Sequence, residues 1–540
     1  MEAAGLSHEE RAAVLDLLSQ IRSRLITPDR VRKFDEEETF PEDIIRHLLG
    51  PEIGLQLLFI PREYGGLGGS ARDLALVSEE LGKICLGIST GFLAVHLGTE
   101  PILIAGTEAQ KRRWLAKVVE EGAIVAFAVT EPEAGSNLAN LKTFATPVTD
   151  EEGRVSGYRI TGTKQFISNG GYADFLTVLA QTPDGPAFFI VEKGTKGFAA
   201  GRPEQKHGIR ASNTAPLTFD DVYVPADHLV GDTPGRGLEQ ANQVFAFTRL
   251  MVGAFALGAG ISALQKAAAY AKDRIQFGSP LIEKQGYTHK LLVPFLIDLE
   301  ASRAYIEQTA DRFDAGEEQL EAESAIAKLF ATETSNACAE AAIQALGGYG
   351  YIREYEVEKI KRDVRITTIY EGTSEIQQLI ISTHRWRTTA QSKGGFYFSL
   401  AEQLDAAHAQ NHDLKADVAA SIIRLLGGLF LAVHETKLTR QQHLMFQLAN
   451  LAACAETTAA LVLRAAATSD NPHAEYLALC ARASAARTAQ KACAIAAEVL
   501  HGSGRWSLSE AEEIIATSGF DLGVSQAGLL SDLDALRSYL

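Results

Sequence analysis

The alternation of apolar and polar positions divides the chain into four stretches. From Ser7 to about Val119 apolar residues recur at the three- and four-residue spacing of amphipathic helices. A capping-box pattern, Ser7 with Glu10, opens the first helix, and the Gly65–Gly69 turn and Pro101 interrupt the run. From about Ala123 the texture changes to short β-rich runs at 158–161, 175–179, 187–191 and 217–219. Turn signals at Glu152-Gly153, Asn169-Gly170-Gly171 and Pro183 to Gly185 punctuate them. Helical spacing returns over 243–274, 287–313 and 319–346, with glycine-rich stops that suit an antiparallel bundle. An Ala-rich helical block follows the break from Ser392 to Gly395. The pattern predicts an α+β chain, mostly α. It has an N-terminal helical domain (1–122), a middle β-barrel-like domain (123–238), a four-helix bundle (239–388) and an extra C-terminal helical domain (389–540).

Composition narrows the functional classes. A net charge of −17 over 540 residues argues against a binder of nucleic-acid phosphates, which needs a basic face. Five cysteines, Cys85, Cys338, Cys454, Cys480 and Cys493, are scattered through apolar helical segments without a C-x-x-C pair. They read as buried thiols in a reducing compartment rather than disulfides or metal ligands. The first 22 residues lack a charged region followed by an apolar one, so no signal peptide is expected. The apolar stretch Ile422 to Val433 is broken by Arg424 and Gly427-Gly428 and is shorter than the ~20 residues of a membrane span. The expectation is a soluble protein of the bacterial cytoplasm, or of the mitochondrial matrix as a mature chain.

Three segments carry candidate chemistry. Ile369 to Glu375 places one carboxylate, Glu371, on a Gly-Thr turn at the start of a predicted helix. Alone, it reads as a solvated acid favoured by the helix dipole. Upstream lie the glycine-rich segment Gln344 to Asp363 and, far earlier, the segment Val129 to Ser136. In this order and at these separations the three resemble the acyl-CoA dehydrogenase family over roughly residues 40 to 385. The extra helical domain is similar to the C-terminal extension of the very-long-chain members, including the patterns at Glu435 to Leu438 and Gln447 to Asn450.

The resemblance implies an FAD-dependent conversion of a saturated acyl-CoA to the trans-2-enoyl-CoA, with a long-chain substrate in β-oxidation and electrons passed to an electron-transferring flavoprotein. It makes Glu371 the base for the α-proton, with the Glu371 N–H in the oxyanion site and burial raising the carboxyl's pKa. Phe127, Val129, Thr130, Ser136, Phe166 and Ser168 would serve the flavin. Arg274, Phe277, Gln285, Gln344, Gly347, Gly348, Thr373 and Glu375 would serve the FAD of a neighbouring subunit. Ser136, Arg249 and Gly372 would face the substrate. Two departures stand out: Asn137 where the family usually has Asp, and Phe166 where it more often has Trp. The family's alternative base position, immediately before an arginine, holds Thr248 here. The resemblance implies that acyl length would be set around Ser89, Leu93 and His96. A homodimer is expected, and peripheral membrane contact through the extension stays open.

Rival readings share much of this frame. An acyl-CoA oxidase would keep the base but admit oxygen, and a branched, cyclic or dicarboxylic acyl-CoA would need a wider or polar pocket floor. A flavin-free scaffold is disfavoured by the intact Glu371. Gly258-x-Gly260-x-x-Ala263 imitates a nicotinamide motif but falls inside a predicted helix, where small residues suit close packing. His96, His207 and His289 lack metal-ligand spacing.

Overall fold

The computed structural model describes residues 5–468 and 473–540, which pack as two compact units divided between Met251 and Val252. The first unit opens with α1 (His8–Gln20), α2 (Pro28–Glu37), α3 (Glu42–Leu49), α4 (Ala71–Ile84), α5 (Leu86–Ala105) and α6 (Glu108–Glu120). The Ser7–Glu10 capping box forms as read, and Ser70 with Asp73 and Thr107 with Gln110 cap α4 and α6 in the same way. Pro101 does not interrupt the helical run: α5 passes straight through it. The ring removes one ladder hydrogen bond, a loss that the almost complete burial of α5 offsets.

The sheet of the first unit has seven strands: β1 (Val125–Ala128), β2 (Phe144–Thr149), β3 (Val155–Ser168), β4 (Phe175–Thr182), β5 (Gly185–Glu192), β6 (Phe198–Ala200) and β7 (Thr214–Pro225). Their order is β1-β4-β2-β3-β7-β6, with β5 added to β4. β1 runs parallel to β4, and the β4–β5, β2–β3 and β3–β7 pairs are antiparallel. The four expected β runs lie in β3, β4, β5 and β7, while β1, β2 and β6 are additions. Inward residues such as Ile160, Leu176, Phe189, Leu217 and Val222 form its apolar interior. Between Lys164 and Ile167 the β3–β7 register slips, and Phe166 sits in that bulge at φ +59°.

Helix α7 (Gly237–Asp273) carries the chain across the division. The second unit continues with the hairpin β8 (Ile275–Gln276) and β9 (Ser279–Pro280), then α8 (Gln285–Leu291), α9 (Val293–Asp314), α10 (Glu321–Leu346), α11 (Val357–Val364) and α12 (Ser374–Gln391). The single helix expected over 287–313 is two, α8 and α9, broken at Leu292, because Pro294 has no N–H for a continuous ladder. Gly260 lies inside α7, where a Cβ would come within 2.7 Å of Ser335 Oγ and 2.9 Å of Leu299. Its role is close helix packing, as the sequence suggested.

After a turn at Ser392 to Gly394 the extension adds α13 (Gly395–Gln410), α14 (Ala416–Glu435), α15 (Gln442–Ala466), α16 (Ala474–Ala497), α17 (Leu508–Thr517), α18 (Leu522–Gln526) and α19 (Leu529–Leu536). Among the described residues four helices, α5, α7, α14 and α15, are long and apolar enough to cross a membrane by length and composition, beyond the single apolar stretch at Ile422 to Val433. Their apolar windows are largely buried within the fold. All five cysteines are free thiols, but Cys454 and Cys493 are half-buried rather than fully buried.

Candidate active site

In the second unit, α11 and a short turn lead into Ile369, Tyr370 and Glu371. The Glu371 backbone stands at φ +55° and that of Gly372 at φ +89°. A left-handed glutamate costs of order 1–3 kcal/mol and persists only where its surroundings fix it. Here they do. The Gln377 side-chain amide, fully buried on α12, donates to the Glu371 carbonyl (3.1 Å) and the Gly372 carbonyl (2.9 Å). The Lys328 ammonium, fully buried on α10, donates to the same Gly372 carbonyl. Thr373 caps α12, and Ser374 Oγ donates to Glu333 at 2.5 Å. Glu375 is exposed, and its own backbone N–H with the Thr373 hydroxyl holds its carboxyl below the usual range.

A second constellation in this unit is a cavity of about 480 Å³ at the end of α10. Arg274, Gln344, Gly347 and Gly348 line it together with Leu281 and Tyr349. A Cβ on Gly347 or Gly348 would meet nothing within 4 Å, so the backbone there leaves room for close approach. No carboxylate lines the cavity, and a guanidinium, an amide and a tyrosine ring suit the phosphates and base of a nucleotide. The residues therefore fit the nucleotide half of FAD. Phe277 lies outside this wall, 97% exposed at the tip of the β8–β9 hairpin. Gln285 is also outside it, its amide nitrogen 3.0 Å from Asp534 Oδ1.

In the first unit the segment after β1 folds back as a turn closed by reciprocal backbone bonds between Glu131 and Ala134. Lys164, fully buried on β3, donates to the Val129 carbonyl (2.9 Å) and to Glu131 Oε1 (2.8 Å). Gln165 N–H donates to the Thr130 carbonyl. β3 is thus pinned to the Val129–Glu131 segment, next to Phe166 and Ser168. Burial pushes the Lys164 ammonium down to about 8. Burial raises Glu131, but Lys164, the Lys142 amide and the Thr143 side chain bring it below the usual range.

The Phe166 ring is 63% exposed and Ser136 is exposed, both open to a ligand. Phe127 differs: its ring is packed against Phe188 and Phe245 in the core, so contact with a cofactor falls to its backbone. Asn137 accepts the Ala139 N–H and caps a short turn. Arg249 is buried on α7, its guanidinium 5.8 Å from the centre of the Phe245 ring. Sequence reasoning missed Lys164, Lys328 and Gln377. The first two had a signal, a lone lysine at an inward strand position and one inside the Ala-rich run 325–331.

Three family models match in chain order: acyl-CoA dehydrogenase N-terminal domain over 8–122, middle domain over 126–222 and C-terminal domain over 235–385. An acyl-CoA dehydrogenase of Bacillus subtilis is 36% identical over 380 residues, covering 68% of this chain and 97% of that one. The chain belongs to the acyl-CoA dehydrogenase family. It is an oxidoreductase acting on the CH–CH bond of an acyl-CoA, and its cofactor is FAD. Within the family it is also similar to an acryloyl-CoA reductase (NADH) of Anaerotignum propionicum, 38% identical over 65% of this chain and 88% of that one. An acyl-CoA dehydrogenase from Bacillus anthracis, solved with FAD, covers 99% of this chain and 95% of its own at TM-score 0.83. At 23% identity that likeness speaks for the fold, and it extends through the helices beyond residue 385.

Proposed function

We propose that the protein oxidises a saturated acyl-CoA to its trans-2-enoyl-CoA with Glu371 as the base. The observation that carries this reading is the Glu371 turn: a carboxylate on a left-handed residue, with both carbonyls of the turn tied by Gln377 and Lys328. Removal of a weakly acidic α-proton needs a base held at near-attack distance, and a fixed turn supplies that positioning. Glu371 takes the proton while its own N–H donates to the thioester oxygen as negative charge develops there. Bound FAD supplies the acceptor for the β-hydride. Phe166, Thr130 and Ser168 would face the flavin, and Arg274, Gln344, Gly347 and Gly348 would hold the nucleotide half of the FAD of a neighbouring subunit.

A long-chain acyl group is the preferred substrate, on the layout with a helical extension, and an electron-transferring flavoprotein is the proposed electron acceptor. A homodimer would cover Phe277. A short or cyclic acyl group is the second reading. It is favoured by the buried His96–Glu100 pair, 2.5 Å apart on α5, which places polar side chains on the helix proposed to set acyl length. Anaerobic bleaching of the flavin by butyryl-, octanoyl- and palmitoyl-CoA tests both. Bleaching by palmitoyl-CoA that Glu371→Gln abolishes supports the first reading. Bleaching by butyryl-CoA alone moves the substrate to the second, and flavin that none of the three reduces refutes a straight-chain substrate.

A further inference from the structure

The C-terminal helix of the extension, α19, lies between α16 and the segment that leads into α8. Asp532 and Asp534 are two residues apart on α19, so their side chains project about 200° apart around its axis. Asp532 faces the extension: Arg482 on α16 binds both its oxygens, at 2.6 Å from NH2 and 3.1 Å from Nε. Leu533 and Leu536 are buried beside it. Asp534 faces the other way. Both its oxygens accept the Gln285 amide (3.0 and 3.1 Å), and Oδ1 stands 3.3 Å from His289 Nε2. One turn on, Arg537 donates to the Glu283 carbonyl at 3.3 Å.

The braced segment matters for the cavity at the end of α10. Leu281 lines that cavity, and Tyr287, on α8, donates its hydroxyl to the carbonyl of Ala345, which also lines it. The segment from 281 to 289 therefore enters the cavity wall at Leu281, is tied to it at Ala345 by Tyr287, and is held from behind by Asp534 and Arg537. α8 is seven residues long and packs on α9 and α10, and α19 adds the side-chain bonds at Gln285, His289 and Glu283 that hold its outer side.

We infer that α19 is a cofactor-retention brace, with Asp534 as the positioning residue that, through Gln285, holds the 281–289 segment and so Leu281 and the Tyr287–Ala345 tie at the cavity for the nucleotide half of FAD. The extension thereby acts on cofactor binding rather than only on assembly. This rests on the assignment of that cavity to FAD.

The test measures flavin release from the purified holoenzyme by the rise in flavin fluorescence, for the parent, Asp534→Ala, Asp534→Asn and Arg274→Ala. The melting midpoint of each flavin-free protein is followed in parallel. Asp534→Ala is expected to release FAD about three- to tenfold faster, a range reduced for the partial exposure of Asp534. Asp534→Asn, which keeps an acceptor for Gln285, falls between it and the parent. The flavin-free midpoints stay at the parent's value, and kcat at saturating FAD is unchanged. Release from Asp534→Ala at the parent's rate or slower overturns the brace. Faster release matched by a lower flavin-free midpoint also overturns it, because the effect is then one of folding. Arg274→Ala separates the two levels of the argument: if it retains flavin as the parent does, the cavity assignment itself is wrong. If Arg274→Ala loses flavin while Asp534→Ala does not, the cavity stands and the brace falls.

Discussion

Glu456, on α15 of the extension, accepts two hydrogen bonds from Arg385 on α12, from Nε and NH2 at 2.7 Å each, with both side chains 5% exposed. The same carboxylate accepts the hydroxyls of Tyr305 on α9 (2.9 Å) and Tyr397 on α13 (3.0 Å). Arg385 also reaches Glu323 on α10, which Arg312 holds from the far side. Four helices of the second unit thus converge on one buried carboxylate. Burial, reinforced by Glu456, pushes both phenols well above their ordinary pKa.

Removing one partner of such a pair leaves the other charge buried and uncompensated. Glu456→Ala is therefore expected to destabilise the protein by about 3–5 kcal/mol. Chemical denaturation followed by circular dichroism measures the loss. A variant as stable as the parent would mean that water replaces the carboxylate at no cost.

Glu371→Gln keeps the shape and the backbone preference of the residue but removes the base. Turnover should fall about 10²- to 10⁴-fold with FAD still bound, as read by steady-state rates beside the flavin absorbance.

Lys328→Met keeps the volume of the side chain and deletes the donor to the Gly372 carbonyl, leaving Gln377 to hold the turn. A displaced base costs kcat more than KM, by up to about 10²-fold. A loss confined to KM would place Lys328 in substrate binding instead. Protein stability should fall less than turnover does, because Met packs against the same apolar neighbours.

The Glu131–Lys164 pair predicts two pH effects of the same sign in separate windows, stability rising with pH in each. Glu131 titrates below the usual range in the folded state, so its stabilising contribution is complete above its ordinary value near 4.5 and is lost as pH falls through the folded one. The melting midpoint of the parent should drop more steeply on acidification than that of Glu131→Gln. Lys164 is lowered to about 8, so its cost as a buried cation is full below that pH and is relieved as pH rises toward the ordinary lysine value. Relative to Lys164→Met, the parent should therefore gain stability between about pH 8 and 10.

The parts of the fold legible in the sequence are those with local chemical signatures. Ser7 with Glu10 announces a helix start, and Gly372-Thr373 announces a turn at the start of a helix, while the left-handed backbone of Glu371 itself has no such signature. Pro101 and Pro294 look alike in sequence and behave differently. The first lies deep in a buried helix whose packing tolerates the missing bond, and the second sits at the start of α9, where none is needed. β1 and β6, four and three residues long, fall below the length at which alternation is visible. Lys164 and Lys328 escape notice because a charge in an apolar pattern is normally a solvated one. The Gln285–Asp534 bond joins residues 249 positions apart, and no local pattern encodes it.

The left-handed backbone at Glu371 also bears on how this site could change over evolutionary time. The position answers to two demands at once, a carboxyl for proton transfer and a main chain that β-branched side chains strongly resist. Were the base to move to another helix, the chemical demand would vanish and the conformational one would remain. Glycine, asparagine or aspartate would then be the residues such a lineage could hold at this place. The turn would outlive the catalyst it carries.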